Sequence, residues 1–166
     1  LSPSSSDTGI IFRRKIKNKI SEIKASFQNV KSTRLCTLLS DSKGNSVSTV
    51  EHILSALYAL DIDNVYIDID SNEIPVYDGS ALEFVKKLNS TGTSEIDSYK
   101  RYIKINKNIE VTDGNKKARV SPFDSTLITT EIEYDHKMIG KQTISLVLNP
   151  SIYQSQICSA RTFGFL

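Results

Sequence analysis

Val50, Ile53, Leu54, Leu57 and Leu60 recur at i, i+3, i+4, i+7 and i+10, an apolar stripe that predicts an amphipathic helix opening near Ser48. Glu51 and His52 fall off the stripe, in the first turn. Past His52, down to Leu60, there is no Lys, Arg, Asp or Glu, and the side away from the stripe carries Ser55, Ala56 and Ala59. A fully exposed helical face is usually charged, so the pattern predicts cover on both faces, with Glu51 and His52 looking into a seam between packed layers. Ser48-x-x-Glu51 also reads as a capping box, which would tie the glutamate to unpaired helix amides. Both roles for Glu51, cap and catalyst, stay open on the motif alone.

Around this helix the alternation of apolar and polar residues predicts strands at 9–13, 23–27 and 34–39, the last ending at the turn signal Asp41-Ser42-Lys43-Gly44-Asn45. Residues 65–69 alternate like a half-buried strand, and Pro75 with Asp78-Gly79 breaks the chain before a second helix over 80–88, where Ser80-x-x-Glu83 is again a capping box. Residues 89–98 are rich in Ser, Thr and Gly and read as a linker. Beyond it, strands are predicted at 102–105, 109–112, 117–121, 128–134 and 143–148, with a hairpin turn at Asp113-Gly114-Asn115 and a helix over 151–158. Helices grouped on one face of largely antiparallel sheets make the fold class α+β, with a first domain over 1–92 and a second over 99–166.

Composition narrows the function classes. Of 166 residues, 39% are hydrophobic and 24% charged, as in an ordinary soluble globular chain, and 21 basic against 19 acidic side chains leave a net charge of +2. Arg13, Arg14, Lys15, Lys17 and Lys19 cluster, but without interleaved aromatics they read as a solvated loop, and no nucleic-acid partner is expected. With no apolar run of the ~18 residues a membrane-spanning helix needs, and no signal-peptide pattern, a cytoplasmic setting without stable membrane insertion is the expectation. Cys36 and Cys158 are too few and too far apart for a disulfide scaffold, so both are expected as thiols. A first residue other than Met and an apolar end, Gly164-Phe165-Leu166, suggest a piece of a longer protein.

No phosphate-binding G-x-x-x-x-G-K-[ST] loop, dinucleotide G-x-G-x-x-G word or G-x-S-x-G nucleophile elbow is present. The helix also fails H-E-x-x-H, because the order is Glu51-His52 and position 56 is Ala. What remains is a set of words in order: Ser48-Thr49-Val50-Glu51-His52, Ala56-Leu57, Ile62-Asp63-Asn64, Glu73-Ile74-Pro75, Asp78-Gly79-Ser80-Ala81 and Ala160-Arg161-Thr162-Phe163-Gly164-Phe165. Together they resemble the LpxC family, the zinc-dependent UDP-3-O-acyl-N-acetylglucosamine deacetylases of lipid A synthesis, through essentially the whole chain.

The resemblance implies two similar α+β domains, each a sheet backed by two helices, the second one incomplete here, with the active site in the cleft between them. It implies Glu51 as general base, His52 as a zinc ligand, Thr162 as a hydroxyl that stabilises the oxyanion, Phe163 packing on the glucosamine ring, and Leu35 and Cys36 lining the site. The other two zinc ligands are expected beyond Leu166, so the piece is expected to be inactive alone, and the parent to act as a monomer on UDP-3-O-acyl-N-acetylglucosamine. Asp78 is expected to organise the turn before the second helix. His136 sits in His136-Lys137-Met138, but position 141 is Lys where the family's ligand word has Asp, so it is expected as a turn residue. The competing readings are a non-catalytic α+β binding module and a decayed gene product.

Overall fold

Phe12 sets the register of the main sheet: it stands opposite Ile23 on one neighbouring strand and Ile67 on the other, and all three are buried. In this computed structural model, which describes residues 1–16 and 19–162, the chain carries in order β1 (Ser2–Pro3), β2 (Ile10–Ile16), β3 (Lys19–Lys24), a 3-10 turn (Phe27–Asn29), β4 (Val30–Ser32), β5 (Leu38–Ser40), β6 (Ser46–Val47), α1 (Glu51–Ala59), β7 (Val65–Ile69) and α2 (Leu82–Thr91). Then follow β8 (Ile109–Asp113), β9 (Lys116–Val120), β10 (Leu127–Glu133), β11 (Lys141–Val147) and α3 (Pro150–Ile152), which leads into a π-helical turn (Tyr153–Ile157). The fold is α+β.

Two compact units divide this chain. One comprises Leu1–Ser98 and the chain from Tyr153 onward; the other is Tyr99–Ile152. The sequence-based division places all of 99–166 in the second domain, whereas the described residues 153–162 group with the first unit, with Tyr153 and Cys158 both buried.

In the first unit β1-β7-β2-β3 form a mixed sheet in which β2 and β7 run parallel, and β4-β5-β6 form a smaller antiparallel one. Because side chains alternate across a strand, a one-residue slip would turn Phe12 outward, so burial of the Ile23-Phe12-Ile67 row fixes the pairing. The opposite face carries Arg13, paired with Asp68 at 2.7 Å and stacked over Tyr66 at 4.2 Å. The basic run is therefore not a solvated loop through its first half: Arg13, Arg14 and Lys15 lie within β2, where the Arg13 guanidinium stacks on the Tyr66 ring. Lys17 lies outside the described residues.

Helix α1 buries Ile53, Ala56, Leu57 and Ala59 and packs on α2, which buries Phe84, Val85 and Leu88. The Ala56 and Ala59 side is thus covered, as the missing charges predicted, while Ser55 and Tyr58 remain exposed. Its C-terminus closes with Asp61 in the left-handed region (φ 62°), the Asp61 amide donating to the Tyr58 carbonyl and the Ile62 amide to the Leu57 carbonyl. This is a Schellman motif with aspartate in the usual glycine position.

Several expected elements shift. The strand expected at 34–39 shrinks to Leu38–Ser40, because Leu35 takes a φ of 66° that breaks the extended run. The one at 23–27 forms earlier, at Lys19–Lys24, and Phe27 opens the 3-10 turn. Part of the expected linker is helix, since α2 continues to Thr91 before Gly92 ends it with a φ of 72°. No strand forms at 102–105, where Tyr102 and Ile103 are exposed. The final helix becomes one short turn and a π-helical turn.

The second unit contains two antiparallel hairpins, β8-β9 and β10-β11, most of whose residues are exposed. The first closes on Gly114-Asn115 with Gly114 at φ 59°, a backbone that suits glycine. His136 lies in the turn of the second, its carbonyl accepting from Gly140 at 2.8 Å and its Nδ1 accepting from the Met138 amide at 3.2 Å. The turn role expected for it is the one observed.

Candidate active site

The capping box expected at Ser48 does not form. Helix α1 starts at Glu51 after Val50, without a side-chain cap. Ser48 instead behaves as a strand residue bridged in parallel to Glu73: its amide and hydroxyl donate to the Asn72 carbonyl at 2.9 and 3.1 Å, and its own carbonyl accepts from Ile74 at 3.1 Å. Thr49 then turns the chain with a φ of 58°. Its hydroxyl donates to Glu73 Oε1 at 2.7 Å.

Relieved of capping, the Glu51 carboxylate accepts from the backbone amide of Thr37 at 3.0 Å through Oε2. The Thr37 carbonyl in turn accepts from Val50 at 3.5 Å. The loop of Leu35, Cys36 and Thr37 is thereby fastened to the start of α1. Leu35 is 98% exposed despite its apolar side chain, while Cys36 is half-buried and its thiol unbridged. Glu51 and His52 are both half-buried, and Glu51 occupies the first turn, where the helix dipole favours an acidic side chain.

One turn further, the Ser55 hydroxyl contacts the carbonyl of His52 at 2.8 Å and the hydroxyl of Tyr153 at 2.7 Å. This joins α1 to the π-helical turn near the C-terminal end. Burial pushes the Tyr153 phenol up, while the bond to Ser55 pulls the other way. Cys158, whose thiol is likewise raised by burial, contacts the Gln154 carbonyl at 3.1 Å and ends that turn.

A second junction joins the Asp78-Gly79-Ser80 and Arg161-Thr162 words. Asp78 Oδ1 accepts from the Ser80 amide at 3.2 Å and the Ser80 hydroxyl at 2.7 Å, the turn-forming role expected of it. The Ser80 hydroxyl accepts from Leu82 at 3.2 Å, so the second capping box is also replaced, and Glu83 pairs with Lys86 instead. Arg161 Nε reaches Asp78 Oδ2 at 3.2 Å, and the Thr162 amide donates to the Gly79 carbonyl at 2.8 Å. The bonds from Ser80, reinforced by Arg161, hold the Asp78 carboxyl below its ordinary range.

Thr37 thus ties Glu51 to the loop that carries Leu35 and Cys36, and His52 follows Glu51 in the first turn of α1. Thr162 is anchored separately, on Gly79, and is exposed. Phe163 lies outside the described residues. Sequence reasoning missed Thr37 as the partner of Glu51, Glu73 as the partner of Thr49, and Tyr153 as the partner of Ser55. Glu73 stands in one of the recognised words and Thr37 in the weaker supporting word Leu35-Cys36-Thr37, whereas Tyr153 carried no such signal.

The sequence profile of the family described as LpxC: UDP-3-O-acyl N-acetylglycosamine deacetylase matches residues 1–166. The chain belongs to the LpxC family. Among curated LpxC relatives, a UDP-3-O-acyl-N-acetylglucosamine deacetylase of Colwellia psychrerythraea is 43% identical over all of this chain and 55% of its own length. One of Syntrophus aciditrophicus is 43% identical over 99% of this chain and 52% of its own. One of Nautilia profundicola is 39% identical, covering 100% and 56%. The chain spans about half the length of these relatives. No helix among its described residues is long and apolar enough to cross a membrane.

Proposed function

We propose that this chain is part of a zinc-dependent deacetylase that removes the acetyl group from UDP-3-O-acyl-N-acetylglucosamine in lipid A biosynthesis. The observation that carries the reading is the Thr37 amide on Glu51 Oε2 at 3.0 Å, which fixes a carboxylate beside an imidazole with no capping duty to occupy it. A carboxylate oriented by a backbone donor is suited to general-base work. Glu51 would take a proton from the water that attacks the acetamide carbonyl, then deliver it to the sugar nitrogen as the C–N bond breaks, leaving acetate and the free amine. The Thr162 hydroxyl would donate to the oxyanion that forms in between, and preorganised donors of this kind commonly supply about 10²–10³ in rate. Leu35, Cys36 and Phe163 would contact substrate.

His52 offers a suitable imidazole for zinc. Among the described residues, no three His, Cys, Asp or Glu side chains converge as a metal site. We propose that the remaining ligands belong to the part of the full-length protein that the chain does not span. When bound, zinc would supply Lewis-acid activation of the attacking water.

The test is acetate release from UDP-3-O-acyl-N-acetylglucosamine by the full-length protein carrying this chain. Glu51→Gln keeps an acceptor for Thr37 and should lower kcat by roughly 10²–10⁴ with the fold intact. Unchanged turnover in that variant, or none in the unsubstituted protein, would overturn the reading.

A further inference from the structure

Thr49 is the residue through which the chain changes from the strand-like Ser48 to helix α1, and its backbone is in a conformation that its own side chain resists. Its φ of 58° is the left-handed region, where a β-branched residue is a genuine outlier. Conformations of this kind persist only where the surroundings over-determine them. Here the restraints are identifiable. Ser48 is held by Asn72 and Ile74, Val50 by the Thr37 carbonyl, and the 6%-exposed Thr49 itself by the 2.7 Å hydrogen bond to Glu73 Oε1. Ile74, beside Glu73, is 1% exposed and anchors that strand segment.

The direction in which α1 leaves Thr49 decides where Glu51 and His52 point. We propose that Glu73 is a positioning residue for deacetylation: by accepting from the Thr49 hydroxyl it holds the left-handed link that aims Glu51 and His52. This rests on the reading of Glu51 as the base. Glu73 is exposed and acts through Thr49, so its loss should affect turnover more than substrate affinity.

The experiment measures kcat and KM for the full-length protein. In Glu73→Ala, kcat should fall about 10- to 100-fold, the scale of a small misplacement of a catalytic group, with KM within about twofold. Thr49→Val, which keeps the side-chain shape and removes the donor, should match it. Glu73→Gln retains a carbonyl oxygen as acceptor and should recover activity to within about threefold of the unsubstituted protein. Glycine adopts the left-handed conformation without penalty, so in a Thr49→Gly background Glu73→Ala should cost less than about threefold, a non-additivity that a purely structural carboxylate would not produce. Unchanged kcat in both Glu73→Ala and Thr49→Val, or a full additive loss in the glycine background, would overturn the proposal. Full turnover in Glu51→Gln would instead overturn the base assignment beneath it, so the two failures are distinguishable.

Discussion

The Thr162 amide donates to the Gly79 carbonyl at 2.8 Å, and a Cβ added at Gly79 would stand 3.3 Å from Thr162 Cγ2. Gly79 also has a φ of 83°. Gly79→Ala therefore meets two obstacles, a disfavoured backbone and a crowded neighbour. It should destabilise the full-length protein by about 1–2 kcal/mol on the backbone term alone, read as a lower denaturant midpoint at unchanged slope. Because Thr162 is the residue displaced, kcat should fall as well.

Tyr153 is buried, with its phenol on the exposed Ser55 at 2.7 Å. Tyr153→Phe removes that bond while preserving the ring, and Ser55 still has the His52 carbonyl to donate to. The loss should be about 1 kcal/mol, measured by equilibrium unfolding. Tyr153→Ala, which also empties the space filled by the ring, should cost about 3–5 kcal/mol.

Asp78 gives the junction an acid limit. Its carboxyl is depressed below the ordinary value of 3.8 by Ser80 first and by Arg161 after it. A depressed carboxylate contributes stability that is complete above the unfolded value and is lost as pH falls through the lower native one. Unfolding midpoints recorded from about pH 5 to 2 should fall more steeply for the unsubstituted protein than for Asp78→Asn. The two curves should converge at the acid end.

The isolated 166-residue chain should take up well under one equivalent of zinc in calorimetric titration and release no acetate from substrate, since no group of three potential ligands forms among the described residues. A lone imidazole does not retain the ion against solvent. In the full-length protein His52→Ala should lower zinc content along with turnover.

Much of this architecture was legible in the sequence because it follows from periodicity. Within the stripe Val50, Ile53 and Leu57 are buried and Leu54 half-buried, and Ala56 and Ala59 are buried as well, as the residue pattern implied. The words that carry the LpxC resemblance are where α1, the Asp78 turn and the Arg161 junction form. Local motifs failed where other partners, distant for Ser48 and local for Ser80, took the capping side chain. Both capping boxes had the right spacing, yet Ser48 is drawn into pairing with Asn72 and Ile74, and Ser80 into the Asp78 turn. The left-handed residues Leu35 and Thr49 carry no compositional mark, since neither is Gly, Asn or Asp. The parallel pairing of β2 with β7 joins strands 55 residues apart at Arg13 and Asp68, a distance no local pattern reports.

The tether on Glu51 comes from the main chain of Thr37 and owes nothing to that residue's side chain. Such a restraint survives substitution of everything on the loop except proline at position 37, which would lack the N–H. Substitutions at Leu35 and Cys36 can therefore change the size and polarity of this loop without removing the donor that holds the Glu51 carboxylate.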